Sequence, residues 1–272
     1  MPTEPSHHAS PTSFGAIRYR IHFAKRGDMR WIGHRDLVRW MERLFRRIDL
    51  PLAMSQGFHP KPKIRFASAL ALGIEGLAEW VEVALTETRE PQGLLRRLQA
   101  ETVPGIDFHR VERVTGKMPQ ICRATYEIEP PESARDALPA AIERLLAATS
   151  LPVARPGRPD PVDVRPGIVS LQFDGTLLRY ELAAGRQGAV RPREVLDLLG
   201  GADWESQGAV LRRVQLAFAP PPAPGARAAG ATAAPQVSTP EASSDDAAER
   251  QRPAFDDRIH PNVLESLNEN GP

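Results

Sequence analysis

The chain has 272 residues, 41% of them hydrophobic and 25% charged, the profile of an ordinary globular protein of one or two domains. Its single cysteine, Cys122, excludes an internal disulfide and any zinc or iron–sulfur site built from several thiolates. The net charge of +1 hides an asymmetry: thirteen Lys or Arg meet four Asp or Glu between Ile17 and Phe66, while four basic residues meet eight acidic ones from Ala219 to Pro272.

No window offers the roughly 18 consecutive apolar residues of a membrane helix. Residues 1–15 mix Pro, Ser, Thr and His, without a basic start and apolar run, so no secretory leader is expected and the cytoplasm is the expected location. Ile17 to Ala24 alternates apolar Ile17, Tyr19, Ile21 and Phe23 with Arg18, Arg20 and His22, which predicts a strand. After a turn at Lys25 to Asp28, a helix is predicted over His34 to Ile48. There Leu37, Met41, Leu44, Phe45 and Ile48 make one apolar stripe, and Arg35, Arg39, Arg43 and Arg46 project elsewhere. A loop rich in Pro and Gly, Leu50 to Lys63, leads to strands at Ile64 to Leu70 and Glu79 to Leu85. A helix at Pro91 to Ala100 and a strand at Ile106 to Val114 follow.

The second half shows the same order more loosely. A strand is expected at Ala124 to Glu129, a helix at Glu132 to Thr149, and a short strand at Val162 to Val164. A hairpin joins Ile168–Phe173 to Leu177–Leu182 through Asp174-Gly175, and a helix at Pro192 to Leu199 and a strand at Val210 to Ala217 complete it. The predicted class is therefore α+β, with two tandem ferredoxin-like β-α-β-β-α-β halves at 16–116 and 117–218. A disordered segment 1–15 and a disordered, Pro/Ala-rich acidic tail 219–272 flank them. In that tail, Ile259, Val263 and Leu267 are spaced for a short docking helix, with a solvated tail as the alternative.

Ordered matches run from Tyr19-Arg20-Ile21-His22-Phe23-Ala24-Lys25-Arg26-Gly27 through Gly33-His34-Arg35-Asp36-Leu37, Arg43, Arg46-Arg47 and Leu50-Pro51. They continue through Ser55-Gln56-Gly57-Phe58-His59-Pro60 to Lys63, Phe66-Ala67, Ala69-Leu70, Gly73 and Glu79. On these residues the chain resembles the radical-SAM-linked protein family, whose members stand alone or are fused to a radical SAM enzyme and have no established activity. The resemblance implies a radical SAM enzyme as partner. The lone cysteine means that this chain is not such an enzyme itself, since the cluster of that chemistry needs three closely spaced cysteines. Three positions depart from the family pattern: Gly33 where Ser is frequent, His59 where Asn is usual and Lys61 where His is common.

Two readings stand for each distinctive cluster. Gly33 and Asp36 suit a helix cap, whereas His34 beside the exposed N–H groups suits an anion site. The arginines of the first helix form a solvated face or, since only Asp36, Glu42 and Asp49 oppose them, a phosphate- or carboxylate-binding face made by Arg39, Arg43, Arg46 and Arg47. Ser55 to Lys63 is either a rigid connection that lays Phe58 over the core or a clamp that brings Ser55, Gln56, Gly57, His59 and Lys63 to a ligand. Glu79 is a candidate ion-pair partner for an arginine. Cys122, in an apolar stretch, is expected to be a buried inert thiol.

No phosphate-binding glycine loop, metal-ligand cluster or nucleophile elbow is present in the sequence, and His7-His8 reads as incidental, so neither a cofactor nor a metal is expected. Three functions remain. The favoured one is a binding module that presents an anionic substrate, RNA, to a radical SAM partner. The second is a metal-independent RNA-processing or transfer enzyme using His34, Asp36, Ser55 and His59. The third is an interaction module that docks an acidic protein.

Overall fold

The computed structural model describes residues 16–184 and 190–219. The expected disordered segment 1–15, the tail from 220 onward and its Ile259, Val263 and Leu267 stripe lie outside the described residues. No helix among those described is long and apolar enough to cross a membrane.

The architecture is mixed α+β: a large mixed sheet with few helices. Strand β1 (Ile17–Lys25) leads through a 3-10 turn at Gly27–Trp31 into α1 (His34–Arg47). Strands β2 (Ile64–Phe66) and β3 (Glu75–Leu85), helix α2 (Pro91–Ala100) and strand β4 (Ile106–Val114) follow. The remainder comprises β5 (Ile121–Ile128), α3 (Glu132–Arg135), α4 (Leu138–Ala147), β6 (Pro152–Val153) and β7 (Val162–Asp163). It ends with β8 (Ile168–Phe173), β9 (Leu178–Ala183), α5 (Pro192–Leu198) and β10 (Arg212–Phe218). The sheet order is β4-β1-β3-β10-β5-β9-β8, with β2 also paired to β3. Every pairing in it is antiparallel except that of β10 with β3, which is parallel.

The period-two reading of β1 explains the layering. Tyr19, Ile21 and Phe23 are buried against Leu37, Met41, Leu44 and Phe45 of α1 and Leu94 and Leu98 of α2. Successive side chains of a strand point to opposite faces, so Arg18, Arg20 and His22 occupy the face that α1 and α2 leave uncovered. Helix α1 stops where Asp49 takes a positive φ of 48° ahead of Leu50-Pro51. Helix α2 starts at Glu90, whose carboxylate accepts from the N–H groups of Gln92 and Gly93, with Pro91 at the first helical position. A second apolar cluster gathers Ile128, Leu178 and Tyr180 with Leu138, Ile142 and Leu145 of α4, Val195 and Leu196 of α5 and Leu199 just beyond it.

Several boundaries differ from the expected ones, each for a nameable reason. The helix predicted over 132–149 is divided into α3 and α4, because Pro139 has no N–H to continue a helix and is placed in a first turn. Strand β2 ends at Phe66 instead of Leu70. One more ladder contact, from Ala67 N–H to the Trp80 carbonyl, follows before the chain leaves β3. Strand β3 begins at Glu75, four residues early, because Glu75 and Gly76 pair with Arg212 and Arg213 of β10. The short strand at Val162 pairs with Pro152–Val153 in a separate ribbon, outside the main sheet. The Asp174-Gly175 turn forms as expected: the Asp174 carboxylate accepts from the N–H groups of Thr176 and Leu177, and Gly175 takes a φ of 98°.

Candidate functional site

The uncovered face of β1, β3 and β4 is built from alternate residues placed opposite one another by the register: Arg20 faces Glu82 and Glu112, while His22 faces Trp80 and Arg110. Glu82, nearly buried, accepts from Arg20 at 2.8 Å and Arg18 at 3.3 Å. The Arg20 guanidinium lies 4.3 Å from the centre of the Trp80 ring. Glu112 accepts from His22 at 3.0 Å and from Arg110. Burial holds the His22 pKa below its ordinary value of 6.5, against the opposing pull of Glu112, so at neutral pH a neutral imidazole donates this bond. The Glu112 carboxyl is itself held low: burial raises it, but His22, Arg110 and Arg20 together outweigh that effect.

At the β2 edge of this face lies a groove of about 490 Å³, lined by Arg18, Ser55, Lys61, Lys63, Arg65 and Glu82, with Pro62, Val83 and Ala84. Its shape comes from the loop ahead of β2. Ser55 N–H donates to the Lys61 carbonyl and Ser55 Oγ accepts from Lys61 N–H, while Lys63 exchanges backbone bonds with Ala53 and Ala84. The loop is thus folded back on itself and tied to β3, and Gly57 at its tip takes a φ of 123°. Lys61, Lys63 and Arg65 make no ion pair among the described residues, and Glu82 is already occupied by two arginines. The groove therefore has a surplus of positive charge.

The residues singled out from sequence are dispersed. His34 is half-buried, packs edge-on against Phe66 at 5.2 Å between ring centres, and lines a cavity of about 10 Å³ with Lys25, Ser68 and Glu79. Asp36 is exposed and pairs with Arg39 at 3.2 Å. Gln56, Gly57, Phe58 and His59 are exposed at the loop tip, so Phe58 does not cover the core. Ser55 and Lys63 belong to the groove. Hence His34, Asp36, Ser55 and His59 do not share one pocket.

The α1 arginines stand beyond the helix-covered face, away from the groove. Arg47 pairs with Glu101 at 2.9 Å, Arg46 donates to the Glu42 carbonyl, and Arg35 and Arg43 have no ion pair among the described residues. Glu79 does pair with an arginine, but with Arg213 of β10. Cys122 is half-buried instead of buried, with its thiol 3.5 Å from the Ala217 carbonyl.

The candidate residues named from the sequence do not include Arg18, Lys61, Arg65 and Glu82 as a group. Their signal was present in the alternation: Arg18 is out of phase with Tyr19, and Arg65 lies between the inward Ile64 and Phe66. Nothing local indicated that the two strands and the loop would converge. No group of three or more His, Cys, Asp or Glu among the described residues is arranged to hold a metal ion.

Fold and site together define a mixed α+β protein with a basic, loop-walled groove on the open face of its sheet. Residues 18–192, more than half the chain, match the family of uncharacterized proteins conserved in bacteria (DUF2344), and the chain belongs to it. Among curated proteins, none matches.

Proposed function

We propose that the chain is a non-redox binding module that holds RNA by its phosphates and presents it to a radical SAM enzyme. The carrying observation is the groove, where Arg18, Lys61, Lys63 and Arg65 face a single carboxylate that two arginines already share. Phosphate contacts by Lys and Arg dominate nucleic-acid affinity and require such a surplus. The strand orders support reading each half as a ferredoxin-like unit, since β4-β1-β3-β2 and β10-β5-β9-β8 follow one connectivity. The fold by itself does not assign the ligand. The radical SAM partner comes from the sequence resemblance alone, and co-elution of the two purified proteins tests it. A catalytic reading of His34, Asp36, Ser55 and His59 lacks comparable support because the four stand apart.

The test is binding of a labelled single-stranded RNA to the full chain across a salt series. A groove variant, K61A/K63A/R65A, is compared with a helix variant, R39A/R43A/R47A. Weaker binding by the groove variant with retention in the helix variant is the expected result. Absence of binding even at about 50 mM salt overturns the reading and favours an acidic protein as the partner.

A further inference from the structure

Strands β2 and β10 run along the same edge of β3, β2 opposite residues 81–83 and β10 opposite residues 75 and 76. Between them the sheet is interrupted, and a cleft of about 790 Å³ opens there, bounded also by the start of β5 and the end of β9. Its lining has two characters. Phe66, Ile121 and Leu216 give apolar wall, while Ser68, Tyr126 and Arg213 bring polar atoms. The charge of Arg213 is taken up by Glu79. Ser68 Oγ is buried without a hydrogen-bond partner, an uncommon state for a hydroxyl that can both donate and accept. Arg65, free of any ion pair among the described residues, lines both this cleft and the basic groove.

We propose that the cleft receives a single nucleotide, its base among the apolar walls with an edge toward Ser68 and its phosphate at Arg65. The volume lies in the range of about 300–1,000 Å³ that accommodates small organic ligands. A nucleotide joins a flat apolar face, a hydrogen-bonding edge and an anion, and the lining offers a counterpart to each. Two sources share this chemistry: a free mononucleotide, or one nucleotide of an RNA strand whose backbone follows the groove. The second source rests on the RNA reading above. A strand held at Arg18, Lys61 and Lys63 reaches the mouth of the cleft at Arg65, where one base can leave the stack, as protein-bound single strands commonly allow.

The experiment uses the full chain, a single-stranded RNA carrying one 2-aminopurine, and AMP and UMP as separate probes. A183W fills the cleft from the half-buried end of β9, and S68A is a smaller change that keeps the test open if the first variant unfolds in a thermal melt. On the RNA source, 2-aminopurine emission rises on binding, and either variant abolishes the rise while salt-dependent binding to the groove persists. On the free-nucleotide source, AMP or UMP binds the wild type and is weakened about tenfold or more by either variant, the size of one lost base contact. That result without any RNA binding ends the RNA reading and leaves the nucleotide site standing. RNA binding with unchanged emission, together with no binding of either mononucleotide, overturns the cleft proposal and leaves the RNA reading intact.

Discussion

Glu79 and Arg213, 134 positions apart in the chain, form a bidentate ion pair at 2.8 and 2.6 Å with both side chains almost fully buried. It joins β3 to β10, the one parallel contact in the sheet. Lys25, about 1% exposed, adds a second cation near the same carboxylate and donates to the Ile32 carbonyl at 2.8 Å. Burial lowers the Lys25 pKa, Glu79 opposes this, and Arg213 adds to the lowering.

Removing the carboxylate therefore strands two buried cations. Glu79→Gln is expected to destabilise the fold by about 3–5 kcal/mol, the usual cost of breaking a buried pair from one side. The double variant E79L/R213M should recover part of that loss, because it also removes one of the stranded charges. Urea unfolding of the three proteins measures both quantities, and a Glu79→Gln loss under about 1 kcal/mol, the scale of an exposed pair, would contradict this account.

The groove makes a quantitative demand on salt dependence. For single strands, each neutralised phosphate contributes about 0.7 to the slope of log affinity against log salt. The K61A/K63A/R65A variant should therefore bind RNA with a slope shallower by about 2. The R39A/R43A/R47A variant should keep most of the wild-type slope, since Arg39 and Arg47 are already paired. Filter binding across the salt series reads both.

His22 and Glu112 set a pH dependence. The folded His22 has a lowered pKa, so below its ordinary value of 6.5 the unfolded chain binds more protons than the folded one. Stability then falls as pH drops through that value. Glu112, also lowered, adds a further loss at more acidic pH, below its ordinary value of 4.5. Thermal melts from pH 8 to pH 5 should show the first decline, and His22→Gln should flatten it. An unchanged slope in that variant would place the decline elsewhere.

Gly105 is the glycine whose replacement is expected to cost most clearly. Its φ is +87°, and a Cβ there would stand 2.6 Å from the Arg26 carbonyl oxygen. The Gly105 carbonyl meanwhile accepts from Arg26 N–H at 2.8 Å, so the backbone cannot simply move away. Gly105→Ala should lower stability by about 2 kcal/mol or more, combining a left-handed backbone with a clash. Calorimetry of the variant checks it, and an unaltered midpoint would show that the turn relaxes.

The parts of the fold legible in the sequence are those decided by near neighbours. The alternation from Ile17 to Phe23, the stripe from Leu37 to Ile48, Pro91 opening a helix and Asp174-Gly175 turning a hairpin each depend on contacts within a few residues. Of the candidate site, Ser55 and Lys63 are visible in the sequence as members of a distinctive loop, but nothing local shows which face of the sheet that loop joins. Residue Lys63 joins the opposite face because its carbonyl accepts from Ala84 N–H and so fixes the loop on β3, a contact without a local signature.

By itself, then, the sequence determined the periodic elements, the inward and outward faces of β1 and α1, the positive charge of the first quarter and the absence of any multi-cysteine centre. The tertiary structure alone decided that β10 lies along β3, that Glu79 finds Arg213, and that Arg18, Lys61, Lys63 and Arg65 converge. The physical reason is range. Strand and helix periods arise from the geometry of the local backbone, whereas sheet order, buried ion pairs and clefts depend on which distant segments exclude water together.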